Sequence, residues 1–155
     1  MSDLIASLEA EARDLVLEAF DEAVALALGA AIVRRAEAAR APVIVNIRSA
    51  SRTFFHAALP GSAPLNDLWA RRKSNTVLMF QESSLLVGQR HLARGTSLAV
   101  HGLDTADYAD HGGGVPIMVR GTGLVAVATV SGLPSAEDHA LVVAALRDLI
   151  AAPRP

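Results

Sequence analysis

The 155-residue sequence predicts one α+β domain spanning 1–155. Three observations lead there. Apolar residues recur at helical spacing in several segments; pairs of short β-branched or aromatic runs are separated by turn-forming residues; and those pairs read as antiparallel hairpins set between helices. The chain is 52% hydrophobic, enough for a sizeable core, but only 4% aromatic, so Leu, Val, Ile and Ala must fill that core by close packing.

Leu4, Ile5, Leu8 and Ala12 mark a first helix, and the short Leu15-to-Ala19 segment reads as a strand. Asp21 is placed to cap a second helix with Val24, Leu28, Ile32 and Ala36 on one face, running to about Arg40 before Pro42 stops it. Val43 to Ile47 and Thr53 to Ala57 flank the polar Arg48-Ser49-Ala50-Ser51-Arg52 as a hairpin. After the Pro60-to-Pro64 break, Asn66 or Asp67 begins a helix reaching about Phe80. Ser84 to Ala93 forms a shorter helix ending near Gly95, and Leu98 to Asp110 reads as a loop. Val115 to Val119 and Leu124 to Val130 make a second hairpin around Arg120-Gly121-Thr122-Gly123. Ser135 is expected to cap the last helix, with Leu141, Val142, Ala145, Leu146 and Leu149 as its buried stripe.

A formal charge of −2, with Arg71-Arg72-Lys73 as the one cationic run, argues against a nucleic-acid surface, which needs clustered cations to displace counterions. The absence of cysteine removes disulfides, thiolate metal sites and a cysteine nucleophile. Met1-Ser2-Asp3 lacks the cationic start of a secretory leader, so a cytoplasmic location is expected. The alanine-rich Ala23-to-Val33 stretch falls short of the roughly 20 apolar residues a bilayer span requires, so no membrane association is expected. There is no His-Glu-x-x-His zinc helix, Gly-x-Ser-x-Gly elbow, EF-hand loop or dinucleotide-binding glycine motif.

Three constellations stand out. Turning the third helix through 100° per residue puts Leu65, Leu68, Trp69, Thr76, Met79 and Phe80 on one face with Arg72 in its middle. A guanidinium there must be paired, either with an internal carboxylate or carbonyl or with an anionic ligand, while Lys73 is expected to reach solvent. His111 precedes Gly112-Gly113-Gly114, where the backbone can approach a neighbour closely before Pro116 stiffens it. The imidazole either bonds its own loop or faces a metal, haem iron or proton-transfer site. Glu137-Asp138-His139 lies in the first turn of the last helix, where the carboxylates complete the helix start or contribute to a metal site. His56, His91 and His101 are scattered singly and read as surface or packing residues.

The segments Trp69-Ala70-Arg71-Arg72-Lys73-Ser74-Asn75-Thr76, His111-Gly112-Gly113-Gly114-Val115-Pro116-Ile117 and Ser131-Gly132-Leu133-Pro134-Ser135-Ala136-Glu137-Asp138-His139 together resemble the haem-degrading-domain (GlcG/HbpS-like) family, in particular its small uncharacterised stand-alone branch. The resemblance implies a profilin-like α-β-α domain with an antiparallel sheet of about five strands. It also implies homo-oligomers and, for some relatives, haem binding and breakdown. Gly113, Gly114, Pro116, Ile117 and Ser131-Gly132 match the wider family; Trp69, Arg72, Lys73, Asn75, His111 and His139 match the narrower branch.

The expectation is a small-ligand-binding protein for haem or a related anionic cofactor. His111 would be the axial donor, Gly112 to Gly114 would admit the ring, and Arg72 with Lys73 would meet the carboxylates. The alternative is a non-catalytic oligomeric protein-interaction module, favoured by the lack of a complete catalytic motif. A hydrolase built on His111 and Asp110 has no nucleophile or metal set beside it. A chain this apolar is expected to self-associate as a homodimer or higher homo-oligomer through the glycine loop and the apolar face of the Trp69 helix.

Overall fold

In a computed structural model, which describes residues 2–152, five helices flank a five-stranded sheet. The chain runs α1 (Ser2–Asp14), β1 (Val16–Leu17), α2 (Glu22–Ala38), β2 (Ile44–Arg48), β3 (Thr53–Ala58), α3 (Pro64–Phe80), α4 (Ser84–Arg94), a 3-10 turn (Leu98–His101), β4 (Gly114–Val119), β5 (Gly123–Ser131) and α5 (Ser135–Ala151). The strand order is β1-β4-β5-β2-β3. β4–β5, β5–β2 and β2–β3 are antiparallel, whereas the two-residue β1 runs parallel to β4, pairing Val16 with Met118 and Leu17 with Val119.

The local signals set most boundaries. Asp21 accepts a hydrogen bond from the Val24 amide at 2.9 Å and so starts α2. Gly95 ends α4 in the left-handed conformation. α3 starts at Pro64, ahead of the expected Asn66, because proline's fixed φ suits the first helical position and Asn66 reaches back to accept from the Ala63 amide at 2.8 Å. Ser135 does not cap α5: Pro134 holds the cap position and Ser135 is the first helical residue. The expected Leu98-to-Asp110 loop contains the one-turn 3-10 helix.

Strand alternation gives the sheet two unlike faces. Val45, Ile47, Val115, Ile117, Ala128 and Val130 point to one side and pack with Leu28 and Ile32 of α2 and Val142, Ala145 and Leu146 of α5, which is the main core. The opposite side carries Asn46, Arg48, Thr129 and Ser131 beside the buried Ile44 and Val127 and is covered by α3 and α4. α1 lies outside α4, with Leu8 in a small cluster with Leu85 and Leu86.

The hydrogen-bonding groups on this underside overturn the expected register of α3. Leu65, Leu68 and Met79 are 61%, 49% and 53% exposed; of the expected face Thr76 is buried, and it is joined there by Ala70, Lys73, Ser74 and Val77. The physical reason is the surface beneath: Arg48 donates through Nε to Ser74 Oγ at 2.8 Å and through its terminal nitrogen to Asn75 Oδ1, so the helix turns its hydrogen-bonding side inward.

Candidate functional site

A pocket of about 270 Å³ opens where α3, the end of β5 and the start of α5 meet. Asn66, Trp69 and His111 are among the residues around it, together with Lys73, Asp138 and the Ser131-to-Ser135 turn. α5 begins here without a side-chain cap, so the positive end of the helix dipole adds to the field at the pocket.

Lys73 corrects an expectation. It does not reach solvent: its side chain is 5% exposed and Nζ donates to Asp138 Oδ2 at 3.0 Å and to the Val130 carbonyl at 3.4 Å. Asp138 is completely buried, and its other contacts are with the Gly132 and Leu133 amides, which donate at 3.3 and 2.9 Å. Burial pulls the Lys73 ammonium below its ordinary value and pushes the Asp138 carboxyl above its own; their mutual attraction opposes both shifts. The pair fastens α3 to the β5–α5 junction, and Lys73 lies among the residues that line the pocket. A carboxylate four residues after Pro134, beside a glycine-containing turn, was the available sequence signal for this pairing.

The three glycines also have a different task from the one expected. Gly112, Gly113 and Gly114 are buried, and a Cβ on them would meet the Ser135 carbonyl, the Val130 carbonyl and the Val77 side chain respectively. Gly113 additionally sits at φ +138°, a conformation side-chain-bearing residues rarely adopt. They let the chain pass close to α3, β5 and α5.

Arg72 is half-buried rather than buried, and it does not meet a carboxylate. Its guanidinium carbon lies 4.4 Å from the centroid of the Trp69 ring. Among the described residues the arginine ion pairs engage Arg35, Arg52, Arg90 and Arg120, while Arg72 Nε is buried without a hydrogen-bond partner. The exposed His111 also packs against Trp69, its ring edge-on with a centroid separation of 5.0 Å. Trp69 therefore joins Arg72 to His111: Trp69 and His111 line the pocket, and Arg72 lies beside Trp69 just outside that lining.

Two further expected residues lie apart from the pocket. Asn75 accepts from Arg48 and donates to the Asp107 carbonyl at 2.8 Å, which ties β2 and the loop before β4 to α3. His139 is 5% exposed and faces α1, where Nε2 sits 2.6 Å from Glu11 Oε1; Nδ1 is buried without a partner. It lines a separate cleft of about 250 Å³ between α1, α4 and β4. His91 and His101 are not isolated either: their Nε2 atoms are 3.1 Å apart, and Asp110 holds His91 Nδ1 at 2.7 Å. No helix among the described residues is long and apolar enough to cross a membrane.

Residues 20–147 match the family model described as Haem degrading protein HbpS-like. A UPF0303 protein of Streptomyces coelicolor is 47% identical over 147 residues, covering 94% of this chain and 93% of its own. Among solved structures, the Ybr137w protein is similar with a TM-score of 0.85 at 30% identity, over 94% of this chain and 87% of that one. A structure described as a PduOC:heme complex has a TM-score of 0.71 at 20% identity, over 83% of this chain and 94% of that one.

Proposed function

The chain belongs to the HbpS-like family of haem-degrading proteins, and on that footing we propose that it binds a small anionic cofactor, haem or a related tetrapyrrole, at the rim formed by Arg72, Trp69 and His111. The observation that carries the reading is that Arg72 has no ion-pair partner among the described residues: a cation with a buried, unpartnered Nε stands over the Trp69 ring, against which the exposed His111 imidazole also packs. The similar PduOC structure is named as a heme complex, which supports the choice of ligand class.

The residues fit such a group at the rim rather than inside the pocket. At about 270 Å³ the pocket is smaller than the roughly 300–1,000 Å³ that enclose drug-sized ligands, so it takes a carboxylate-sized portion and not a ring system. Bound haem supplies an iron centre for redox or oxygen chemistry. The chain's own contribution is position and charge: His111 offers a nitrogen to the metal, Arg72 meets a carboxylate, Trp69 presents an apolar face, and Lys73 with Asp138 holds the floor rigid.

Haem titration into the full chain, followed at the Soret band, tests this. A saturable shift that disappears in His111→Ala and weakens in Arg72→Leu is expected. Absence of saturation, or a wild-type response from His111→Ala, removes the assignment.

A second reading, a non-catalytic oligomeric module, rests on a different observation. Leu65, Leu68 and Met79 leave α3 with an exposed apolar stripe next to Trp69, the kind of surface that self-association covers. Light scattering at micromolar concentration is expected to give a multiple of the chain mass, reduced to the monomer by Leu68→Arg; a wild-type monomer that persists on concentration ends this reading.

A further inference from the structure

The geometry points to a divalent transition-metal site formed by His91 and His101, with Asp110 orienting the first, at the end of the molecule where α4 meets the Leu98–His101 turn. The site is separate from the haem reading and shares no residue with it.

The tautomers are set from behind. Asp110 Oδ2 lies 2.7 Å from His91 Nδ1, so the carboxylate keeps a proton on that nitrogen and leaves Nε2 as a lone pair. His101 Nε2, 3.1 Å away, donates its proton to that lone pair. An ion entering between them displaces this proton, and His101 takes it up on Nδ1; its exposure leaves that nitrogen open to water, so no buried group has to change charge. The outcome is two neutral imidazoles on the ion and a carboxylate behind one of them, the arrangement that orients histidine ligands in metalloproteins.

The distances are suitable. With metal–nitrogen bonds of about 2.0–2.1 Å, two nitrogens 3.1 Å apart subtend roughly 100° at the ion, near a tetrahedral angle. The rings meet almost head-on, with centroids 5.3 Å apart, so the His91 lone pair points at His101 Nε2; an ion on that lone pair requires the exposed His101 to move outward and turn on its one-turn helix until its own lone pair meets the ion. The other half of the site is rigid. His91 is 6% exposed at its side chain, and Phe80 packs edge-on against both imidazoles. Asp110 is seated by its backbone: a Cβ at Gly88, one turn before His91, would collide with the Asp110 carbonyl, and the neighbouring Ala109 amide donates to Arg72 O and Thr76 Oγ1 at 3.2 and 3.1 Å.

Imidazole donors select Zn²⁺, Cu²⁺ or Ni²⁺ over Mg²⁺ or Ca²⁺. Among the described residues no group of three or more His, Cys, Asp or Glu side chains makes a complete ligand set, so the remaining positions belong to water or an outside ligand. That is the composition of an open site rather than a structural one.

The test is calorimetric titration of tag-free, chelator-treated full chain with Ni²⁺ alone and with Mg²⁺ alone, alongside nitrogen-15 spectra of the imidazoles. One Ni²⁺ per chain is expected, with the His91 and His101 ring-nitrogen signals broadened together by the paramagnetic ion and no Mg²⁺ binding. His101→Ala, a change at an exposed position that keeps the fold, is expected to abolish binding, and Asp110→Asn to weaken it roughly 10- to 100-fold. No saturable Ni²⁺ binding, undiminished binding by His101→Ala, or equal uptake of Mg²⁺ overturns the assignment.

Discussion

Removing either member of the Lys73–Asp138 pair makes stability depend on pH, with opposite sign in the two variants. In Asp138→Asn the Lys73 ammonium loses its counterion while remaining beneath α3, 5% exposed. It can escape by losing its proton, and at pH 7.5 that costs about 1.36 × (10.4 − 7.5), or ~4 kcal/mol, which is a ceiling on the penalty from the stranded charge. In Lys73→Met the Asp138 carboxylate is stranded and escapes by protonation, with a ceiling of about 1.36 × (7.5 − 3.9), or ~5 kcal/mol. The Gly132 and Leu133 amides still donate to it, so the actual cost falls below that ceiling.

The pH dependence follows from proton linkage. Burial lowers the folded-state value of Lys73, so in Asp138→Asn the unfolded chain binds the extra proton and stability rises with pH, by up to ~1.4 kcal/mol per unit, until the ordinary lysine value near 10.4 is reached. Burial raises the folded-state value of Asp138, so in Lys73→Met the folded chain holds the extra proton and stability falls as pH climbs above the ordinary carboxyl value near 3.9. In the parent protein, moving a proton from lysine to aspartate leaves the proton count unchanged, so the pair contributes no slope for as long as it holds one proton between its two members. Urea unfolding followed by circular dichroism at pH 5.5, 7 and 8.5 measures all three. Slopes of the same sign relative to the parent, or penalties below about 1 kcal/mol in both variants, would mean that the pair is solvated and the reasoning is wrong.

Gly113→Ala forces a side chain into φ +138° and against the Val130 carbonyl and Lys73; a loss of at least about 1–3 kcal/mol is expected from the backbone conformation alone, measured by thermal unfolding. Leu8→Ala removes the anchor that α1 makes with Leu85 and Leu86 and is expected to cost about 2–5 kcal/mol, with faster hydrogen exchange in α1 than in the sheet. Glu11→Gln weakens the second tie between α1 and the body of the protein, the 2.6 Å contact with His139; raised exchange confined to α1, with an unchanged sheet, is the expected pattern.

Most of the elements were legible in the sequence because their signals are local. The Asp21 cap, the Gly95 terminus, the apolar repeat of α2 and the two hairpins each depend on residues within a few positions of one another, and the structure has them where those signals put them. The strand reading of Leu15 to Ala19 also held, though only Val16–Leu17 pair, and in parallel with β4 rather than antiparallel. The Trp69 helix was different. Its sequence contains an apolar stripe and a polar one, and periodicity favours the apolar stripe as the buried side; the sheet face beneath it carries Arg48, Thr129 and Ser131 and selects the other.

The same distinction governs the functional residues. Residue types and the glycine run determined by themselves that Trp69 and His111 mark a surface worth testing, and the structure brings both to the rim of one pocket. Which polar side chains pair with one another was decided only by the tertiary structure. Asp138 lies 65 residues from Lys73, Glu11 lies 128 from His139, and His91 meets His101 across the Gly95 turn. A side chain's sequence neighbours fix its backbone conformation, but its desolvation and its partner are set by whichever distant segment the sheet and helices pack against it. Burial and charge pairing are therefore properties of the assembled fold.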